Sequence, residues 1–212
     1  MKISDRKIIL VGGGGHCKSV IDVAESAGWH IQGILDTADQ VGKDVLGYKV
    51  LGTDDRMCEY VDKAYFIVTV GHIKAPDLRI KLHDMIAEVG GQLATLIAAD
   101  AHVSPHAQIK PGTVVMHKAV VNANAQVGFG CIINTLSNIE HDAIIGDYCH
   151  ISTGAIINGD CKVGEKTFIG SGTVLSNGIT IAEKCLVGAG SFVRKDIKIS
   201  GIYSGNPVKK YK

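Results

Sequence analysis

A six-residue period runs through the second half of the chain and constrains its fold more than any other feature. From Val103 to Val193 every sixth residue is aliphatic, sixteen positions in all, and every one except Leu175 is β-branched. The residue two places earlier is small at fifteen of these sixteen positions, Ile179 being the exception. A fixed period with one buried β-branched and one small side chain is the signature of a parallel β-helix, in which each coil stacks on the next.

Four of the six cysteines occupy the small position of the repeat. We interpret them as structural residues at the corners of the β-helix: Cys131, Cys149, Cys161 and Cys185. Cys17 and Cys58 lie outside the repeat and receive no role. Because no two cysteines have the C-x-x-C spacing, the sequence does not predict a zinc ribbon.

Residues 1–98 alternate strand-like and helix-like segments instead. The apolar run KIILV at 7–11 ends in four glycines and precedes a helical pattern, and further strands are predicted at 30–36 and 64–70. Such alternation predicts a small parallel sheet covered by helices. The chain thus divides into a Rossmann-like α/β domain, residues 1–98, and a β-helix with a C-terminal tail, residues 99–212.

The glycine loop GGGGHC between the first strand and the first helix is suited to a phosphate, because backbone N–H groups and a helix N-terminus face the ligand. It does not meet the dinucleotide fingerprint, since Cys17 stands at the last position. The short domain therefore favours a mononucleotide over NAD. Asp36, at the end of the second strand, lies where such folds bind a ribose or base, and Arg79 is a weaker candidate at the same sheet edge.

Charge and hydropathy argue against two classes of partner, nucleic acid and membrane. The formal net charge is +1 and no Lys/Arg run occurs, which argues against nucleic acid. No segment reaches the ~18–20 apolar residues of a membrane helix, and the N-terminal run is too short for a signal peptide. We therefore expect a soluble cytoplasmic protein.

The repeat resembles the left-handed β-helix of the hexapeptide-repeat acyltransferases. This resemblance implies a left-handed coil of three hexads, 18 residues, and a parallel homotrimer. Since stacked strands lie about 4.8 Å apart, each residue then has neighbours one coil away on either side.

Glu140, His141 and Asp142 interrupt the repeat with three adjacent ionisable residues. One coil away from His141 lie Ala123 and Gly159, so its ring is expected at a corner beside open space. Imidazole suits general base catalysis, and a neighbouring carboxylate fixes its tautomer. The sequence leaves open whether Glu140 or Asp142 reaches the ring, and a solvated corner that binds nothing is the alternative.

A zinc site between subunits, as in the gamma-class carbonic anhydrases of this fold, is a second alternative. His117 and His141 are four hexads apart, and His102 and His150 are eight apart. Neither separation is a multiple of three, so neither pair stacks, and no zinc-ligand spacing emerges. We expect no metal.

The segment IINTLSNIEHDAIIGDYCHISTGAIINGDCKVG at 132–164 resembles the active-site segment of bacterial sugar acetyltransferases, and the similarity extends over nearly the whole chain. These enzymes N-acetylate UDP-4-amino-4,6-dideoxy sugars or O-acetylate sialic acid. The resemblance implies that His141 deprotonates the sugar amine, Asp142 supports it and Asn134 shapes the pocket. It also implies that His150 contacts the acetyl group of acetyl-CoA and, with the Gly159 N–H, polarises the thioester carbonyl.

The same resemblance assigns residues to the rest of both ligands. The pantetheine arm of CoA would contact Gly170, Ser171 and Ala189 between subunits. The UDP part of the substrate would be held by Gly14, Gly15, His16, Asp36 and Thr37. Lys209 or Lys210 is a candidate contact for a CoA phosphate.

We therefore predict an acetyl-CoA-dependent enzyme that acetylates the 4-amino group of a UDP-linked 4-amino-4,6-dideoxy sugar. The alternative is O-acetylation of sialic acid or a related nonulosonic acid by the same machinery. A β-helical scaffold without catalysis and a metal hydratase are the two other classes. The sugar configuration and the pathway served are not determined by the sequence.

Overall fold

The computed structural model describes residues 6–211, which form two compact units. The first comprises residues 6–71 and Asp77–Ala99, and the second comprises His72–Pro76 and residues 100–211. The sequence-based division falls after residue 98 and does not separate His72–Pro76. The ends of the two predicted domains, residues 1–5 and Lys212, lie outside the described residues.

The first unit is an α/β layer around one sheet. Its elements are β1 Lys7–Val11, α1 Gly15–Ser26, β2 His30–Leu35, a 3-10 turn Ala38–Gln40, β3 Asp44–Val45, β4 Tyr48–Gly52, a 3-10 helix Asp54–Glu59, β5 Tyr65–Val68, α2 Asp77–Glu88 and β6 Leu96–Ile97. The strand order is β3-β4-β2-β1-β5, with β3 antiparallel to β4 and the other pairs parallel. The three predicted strands are present as β1, β2 and β5, whereas the hairpin of β3 and β4 was not predicted.

Apolar strands hold this sheet in the interior of the first unit. Ile9, Leu35 and Phe66 are completely buried and belong to one cluster with residues of α2. The parallel strands leave their carboxyl ends, and so the loops after β1 and β2, at one edge of the sheet. No helix within residues 6–211 combines the length and the apolar character that a membrane crossing requires.

The second unit is built from two-residue strands that recur every six residues. They are β7 His102–Val103, β8 Gln108–Ile109, β9 Val114–Val115, β10 Val120–Val121, β11 Gln126–Val127, β12 Ile132–Ile133, β13 Asn138–Ile139, β14 Ile144–Ile145, β15 His150–Ile151, β16 Ile156–Ile157, β17 Lys162–Val163, β18 Phe168–Ile169, β19 Val174–Leu175, β20 Thr180–Ile181, β21 Leu186–Val187 and β22 Phe192–Val193, followed by β23 Ile202–Ser204 and β24 Lys209–Lys210.

Each strand from β7 to β19 pairs in parallel with the third strand after it, as Asn138 of β13 does with Ile156 of β16. One coil therefore has 18 residues. The strands form three faces. The first face contains β7, β10, β13, β16, β19 and β22, and the second contains β8, β11, β14, β17 and β20. The third contains β9, β12, β15, β18, β21 and β23, closed by the antiparallel β24. The predicted triangular coil of three hexads is confirmed.

The two registers of the repeat fill the inside of the β-helix. The small position is buried in every hexad from Thr113 onward, and the aliphatic position is buried in every hexad from Val115 to Val193. Hydroxyl and thiol groups at the small position donate to a carbonyl 15 residues later, as in Thr113 to Gly128 at 2.8 Å and Cys149 to Gly164 at 3.1 Å. Burial raises the pKa of the Cys149 thiol well above its ordinary value. The corner cysteines are thus buried hydrogen-bond donors, as a structural role requires.

Each corner turns through one residue with a left-handed backbone. Every sixth residue from Gly112 to Gly190 has a positive φ, six being glycine and eight carrying a side chain. Asn124 and Asp142 are two of these, each with φ of 60°. Asn and Asp tolerate this conformation better than most residues. Asp142 therefore occupies a conformationally defined position at its corner.

Candidate active site

A histidine–carboxylate dyad stands at the corner between β13 and β14. His141 Nδ1 lies 2.7 Å from Asp142 Oδ2, and Asn124 Nδ2 donates to Asp142 Oδ1 at 2.6 Å. The hydrogen bond with Asp142 raises the pKa of His141, and hydrogen bonds from Asn124 and then His141 lower the pKa of Asp142. The His141 side chain is 56% exposed. Its Nε2 bonds no described residue, so it can accept a proton from a ligand.

Gly159 lies directly against the imidazole, one coil further on. A Cβ at this position would be 2.7 Å from both Cε1 and Nε2 of His141, closer than real contacts allow. The predicted stacking of His141 on Gly159 is therefore confirmed. Among the described residues no group accepts a hydrogen bond from the Gly159 N–H, which leaves this donor for a ligand.

Glu140 does not reach the ring. Its carboxylate accepts one hydrogen bond from Asn122 Nδ2 and one from Asn138 Nδ2, each of 2.8 Å. Asp142 is therefore the carboxylate that orients His141, which answers the question left open by the sequence. The three asparagines were not anticipated, although Asn122 and Asn124 precede Glu140 and Asp142 by one 18-residue coil and could have been found by the same stacking rule.

His150 has both ring nitrogens engaged by the protein. Its Nδ1 lies 2.8 Å from the His72 carbonyl oxygen, which can only accept, so Nδ1 carries the proton. Its Nε2 then accepts from Asn134 Nδ2 at 3.1 Å, and the Thr135 N–H fixes the Asn134 amide through Oδ1 at 2.7 Å. The resemblance implies that His150 polarises the thioester carbonyl, but in this arrangement its one N–H is already donated to the His72 carbonyl. Asn134 retains a second N–H that His150 does not use.

The predicted acetyl-CoA and base residues fall at two different corners of one chain. His141, Asp142 and Gly159 lie between the first and second faces. The other set lies on the third face or at the corner between it and the first: Asn134, His150, Gly170, Ser171 and Ala189. The full width of the first face thus separates the two sets in a single chain.

Gly170 has a structural explanation of its own. Its N–H donates to the Val187 carbonyl at 2.7 Å, and a Cβ would lie 2.4 Å from the Ala189 nitrogen. Close stacking of adjacent coils therefore requires glycine here. Ser171 and Ala189 are exposed, and the Ser171 hydroxyl contacts that of Ser152 at 2.9 Å.

The five predicted nucleotide residues meet at the carboxyl ends of β1 and β2. Helix α1 begins at Gly15 with Gly14 as its N-cap, without a side-chain cap or an acidic residue in the first turn. An added Cβ at either glycine would have no neighbour within 4 Å among the described residues outside the adjoining backbone. The Asp36 carboxylate accepts the N–H groups of Gly13 and Thr37, both at 2.8 Å, and His16 lies in the first turn of α1. The helix N-terminus is open to an anion.

Arg79, the weaker candidate at this sheet edge, is engaged by the protein backbone. It is completely buried, and its Nη1 donates to the carbonyls of Val68 at 2.6 Å and Val70 at 3.1 Å. Its guanidinium thus satisfies backbone carbonyl groups at the carboxyl end of β5, in the interior of the first unit. Lys209 and Lys210 form the exposed strand β24, and their contact with CoA stays a prediction.

The histidines show no metal site within the described part of the chain. No group of three or more His, Cys, Asp or Glu residues there could hold a metal ion. His117 pairs through Nδ1 with the Asp100 carboxylate at 2.7 Å instead.

Known proteins share both units. Residues 7–86 match the family model of the PglD N-terminal domain, and residues 160–195 match that of the bacterial transferase hexapeptide. The acetyltransferase domain of PglB from Neisseria gonorrhoeae FA1090, solved with acetyl coenzyme A, is 32% identical with a TM-score of 0.91, covering 98% of this chain and 100% of that chain. PerB from Caulobacter crescentus, solved with CoA and GDP-perosamine, is 32% identical with a TM-score of 0.90, covering 97% of each chain.

A third neighbour supports the fold alone: WeeI from Acinetobacter baumannii AYE is 22% identical, with a TM-score of 0.86 over 96% of this chain and 99% of that chain. No curated protein sequence matches the chain. The fold and the corner dyad define a left-handed β-helix acyltransferase. Within this class, the chain belongs to the sugar acetyltransferase family that includes the PglB acetyltransferase domain and the perosamine N-acetyltransferase PerB. The predicted family and fold class are confirmed.

Proposed function

We propose that the chain transfers the acetyl group of acetyl-CoA to the 4-amino group of a nucleotide-linked 4-amino-4,6-dideoxy sugar, with UDP as the nucleotide. The observation that carries this proposal is the exposed His141–Asp142 dyad above Gly159, in a member of this family. Two of the neighbours bind acetyl-CoA or CoA, and one also binds a nucleotide aminosugar, GDP-perosamine. The open N-terminus of α1 supports a nucleotide-linked substrate.

In the proposed reaction His141 Nε2 takes a proton from the amine as its nitrogen attacks the thioester carbon. The C–N bond forms, the C–S bond breaks, and His141 returns the proton to the leaving thiolate of CoA. Asp142, held by Asn124, stabilises the imidazolium that exists between these steps. The Gly159 N–H stabilises the oxyanion of the tetrahedral intermediate.

A homotrimer completes the proposed site. The two sets of predicted residues are separated by the first face in one chain, and closed threefold symmetry brings one copy's His141 corner against the Asn134 side of its neighbour. The second N–H of Asn134 then points to the acetyl-pantetheine group, while His150 holds the Asn134 amide in place. We place this enzyme in the cytoplasm, as expected from the sequence.

The test follows release of free CoA thiol from acetyl-CoA with three acceptors. These are a UDP-linked 4-amino-4,6-dideoxy sugar, its GDP-linked counterpart and sialic acid. Release with the UDP-linked sugar supports the whole proposal, and release with the GDP-linked sugar alone corrects the nucleotide. Release with sialic acid alone replaces N-acetylation by O-acetylation with the same base.

Asp142→Asn tests how the base is oriented. Asn keeps the size and tolerates the left-handed backbone of this position, so the fold should be unaffected. Because the Asp142 carboxylate raises the pKa of His141, its loss lowers that pKa. The acidic limb of the kcat/KM profile should therefore move to lower pH, and the plateau should fall about ten- to a hundredfold as imidazolium stabilisation is lost. An unshifted limb contradicts the assignment of His141 as the titrating base.

Gly14→Asp tests the nucleotide site with opposite expected effects on binding and stability. The N-cap has ordinary φ of −72° and open space, and Asp is a favoured N-cap residue. Thermal stability should be equal or higher, whereas the carboxylate should repel a phosphate and raise the KM of the nucleotide sugar about tenfold. Gly14→Asn adds the same bulk without charge and should raise this KM much less. Equal KM values for both variants and the wild type would place the nucleotide elsewhere.

A further inference from the structure

The carboxylate of Glu140 is fixed beside the dyad without taking part in it. Both oxygens accept a hydrogen bond from a neutral amide, Asn122 in the preceding coil and Asn138 in β13, two residues before Glu140. The side chain is half-buried, and Asn138 pairs on the first face with Val120 and Ile156, both aliphatic. These two hydrogen bonds, one to each oxygen, hold the carboxylate in one orientation close to the His141 corner.

The charge of Glu140 has no cation opposite it. Within residues 6–211 Glu140 forms no ion pair, and its two donors are uncharged. The charge of Asp142, by contrast, faces the His141 ring. Asp160, one coil after Asp142, adds a third carboxylate, and the charges of Asp142, Asp160 and Glu140 all reinforce the hydrogen bond that raises the pKa of His141. The corner is therefore strongly negative even when the imidazole is protonated.

We propose that the cation missing from this corner is the substrate itself, bound as the protonated amine. Glu140 accepts a hydrogen bond from the ammonium group and holds it against His141 Nε2. A half-buried carboxylate gains most from a charged donor, and amines with a pKa of about 8 or above are mainly protonated at neutral pH. This inference rests on the proposed function and deepens it, because it makes the site selective for an amine over a hydroxyl acceptor.

An ammonium group cannot attack a thioester, so the step begins with a proton transfer. Neutral His141 takes one proton from the bound ammonium and frees the nitrogen lone pair. The amine attacks, the C–N bond forms, the C–S bond breaks, and the imidazolium protonates the CoA thiolate. His141 then takes the surplus proton from the amide nitrogen and passes it to solvent. The ammonium and acetyl-CoA thus give the amide, CoA thiol and one released proton.

The test compares Glu140→Gln with the wild type in the full-length protein, using the amine substrate that supports thiol release. At pH 7 the variant's KM for the aminosugar should rise about tenfold or more, as expected for a lost hydrogen bond to a charged group. The KM for acetyl-CoA should stay unchanged. The inhibition constant of the matching 4-hydroxy nucleotide sugar should also stay unchanged, because a hydroxyl carries no charge.

The pH dependence gives a second readout. The wild-type KM should rise as pH passes above the pKa of the sugar amine, since the ammonium form is lost, whereas the variant's KM should lose this dependence. Asp160→Asn is the matched control, because it also removes a carboxylate from this corner, one that no amide side chain of the described residues holds. This variant should change the KM for the aminosugar less than about threefold. Equal weakening of the amine and hydroxyl ligands by Glu140→Gln would overturn the proposal and leave Glu140 a positioning residue. Absence of thiol release by the wild type with any amine would overturn the proposed function as well.

Discussion

His141→Ala should lower the kcat of acetyl transfer by about a hundred- to ten-thousand-fold, the usual contribution of a positioned general base. The dyad is the reason: Asp142 orients Nδ1, and Nε2 has no partner among the described residues. Because the ring is 56% exposed and lies against the backbone of Gly159, its removal should leave the melting temperature nearly unchanged. Thiol release and thermal melting measure the two effects on the same samples.

His106→Ala is the control for this variant. His106 lies exposed at the same corner of the β-helix, two coils before Asp142, and among the described residues it is not a hydrogen-bond partner of Asp142 or Glu140. It should keep wild-type activity and stability. A His141→Ala protein that retains full activity would contradict the proposed base and favour the β-helical scaffold without catalysis.

Repetition made much of this molecule predictable. An aliphatic residue every six positions has one low-energy solution, a stack of coils in which each residue contacts its counterparts one coil away. Once the coil length is 18, the contact between His141 and Gly159 follows by addition, and so would Asn124 beneath Asp142. The first unit was less predictable: β4 lies next to the edge of the sheet, and its neighbour β3 has only two residues.

Contacts between segments distant in the chain could not be predicted from the sequence. The carbonyl of His72 fixes the proton on Nδ1 of His150, 78 positions away in the sequence. The hexapeptide pattern does not predict that His72–Pro76 belongs to the β-helix unit. Arg79 was named as a weaker ligand candidate because a charged residue after a strand usually faces solvent, whereas this one is buried and donates to two backbone carbonyls. In both cases a backbone acceptor, invisible in the sequence pattern, decides the role of the side chain.

Gly159→Ala and Gly164→Ala should separate two reasons for glycine in this fold. At Gly159 the new methyl group meets the His141 ring at 2.7 Å, and this exposed ring can swing away. At Gly164 it meets the Glu183 backbone nitrogen at 2.4 Å, which coil stacking holds in place. Neither glycine has a left-handed φ, so alanine adds no backbone strain at either position. The two variants differ only in what must move.

Gly159→Ala should therefore lower kcat about ten- to a hundredfold, as expected for a displaced catalytic group, with a nearly unchanged melting temperature. Gly164→Ala should lose roughly 1–3 kcal/mol of stability, as expected for overpacking, and melt several degrees lower while its folded fraction stays active. Adding Gly159→Ala to His141→Ala should cost no further activity, because the ring it displaces is already gone. A further loss in this double variant would contradict the displacement of the ring and show that the added methyl group itself obstructs a ligand, since alanine keeps the N–H proposed to contact the oxyanion.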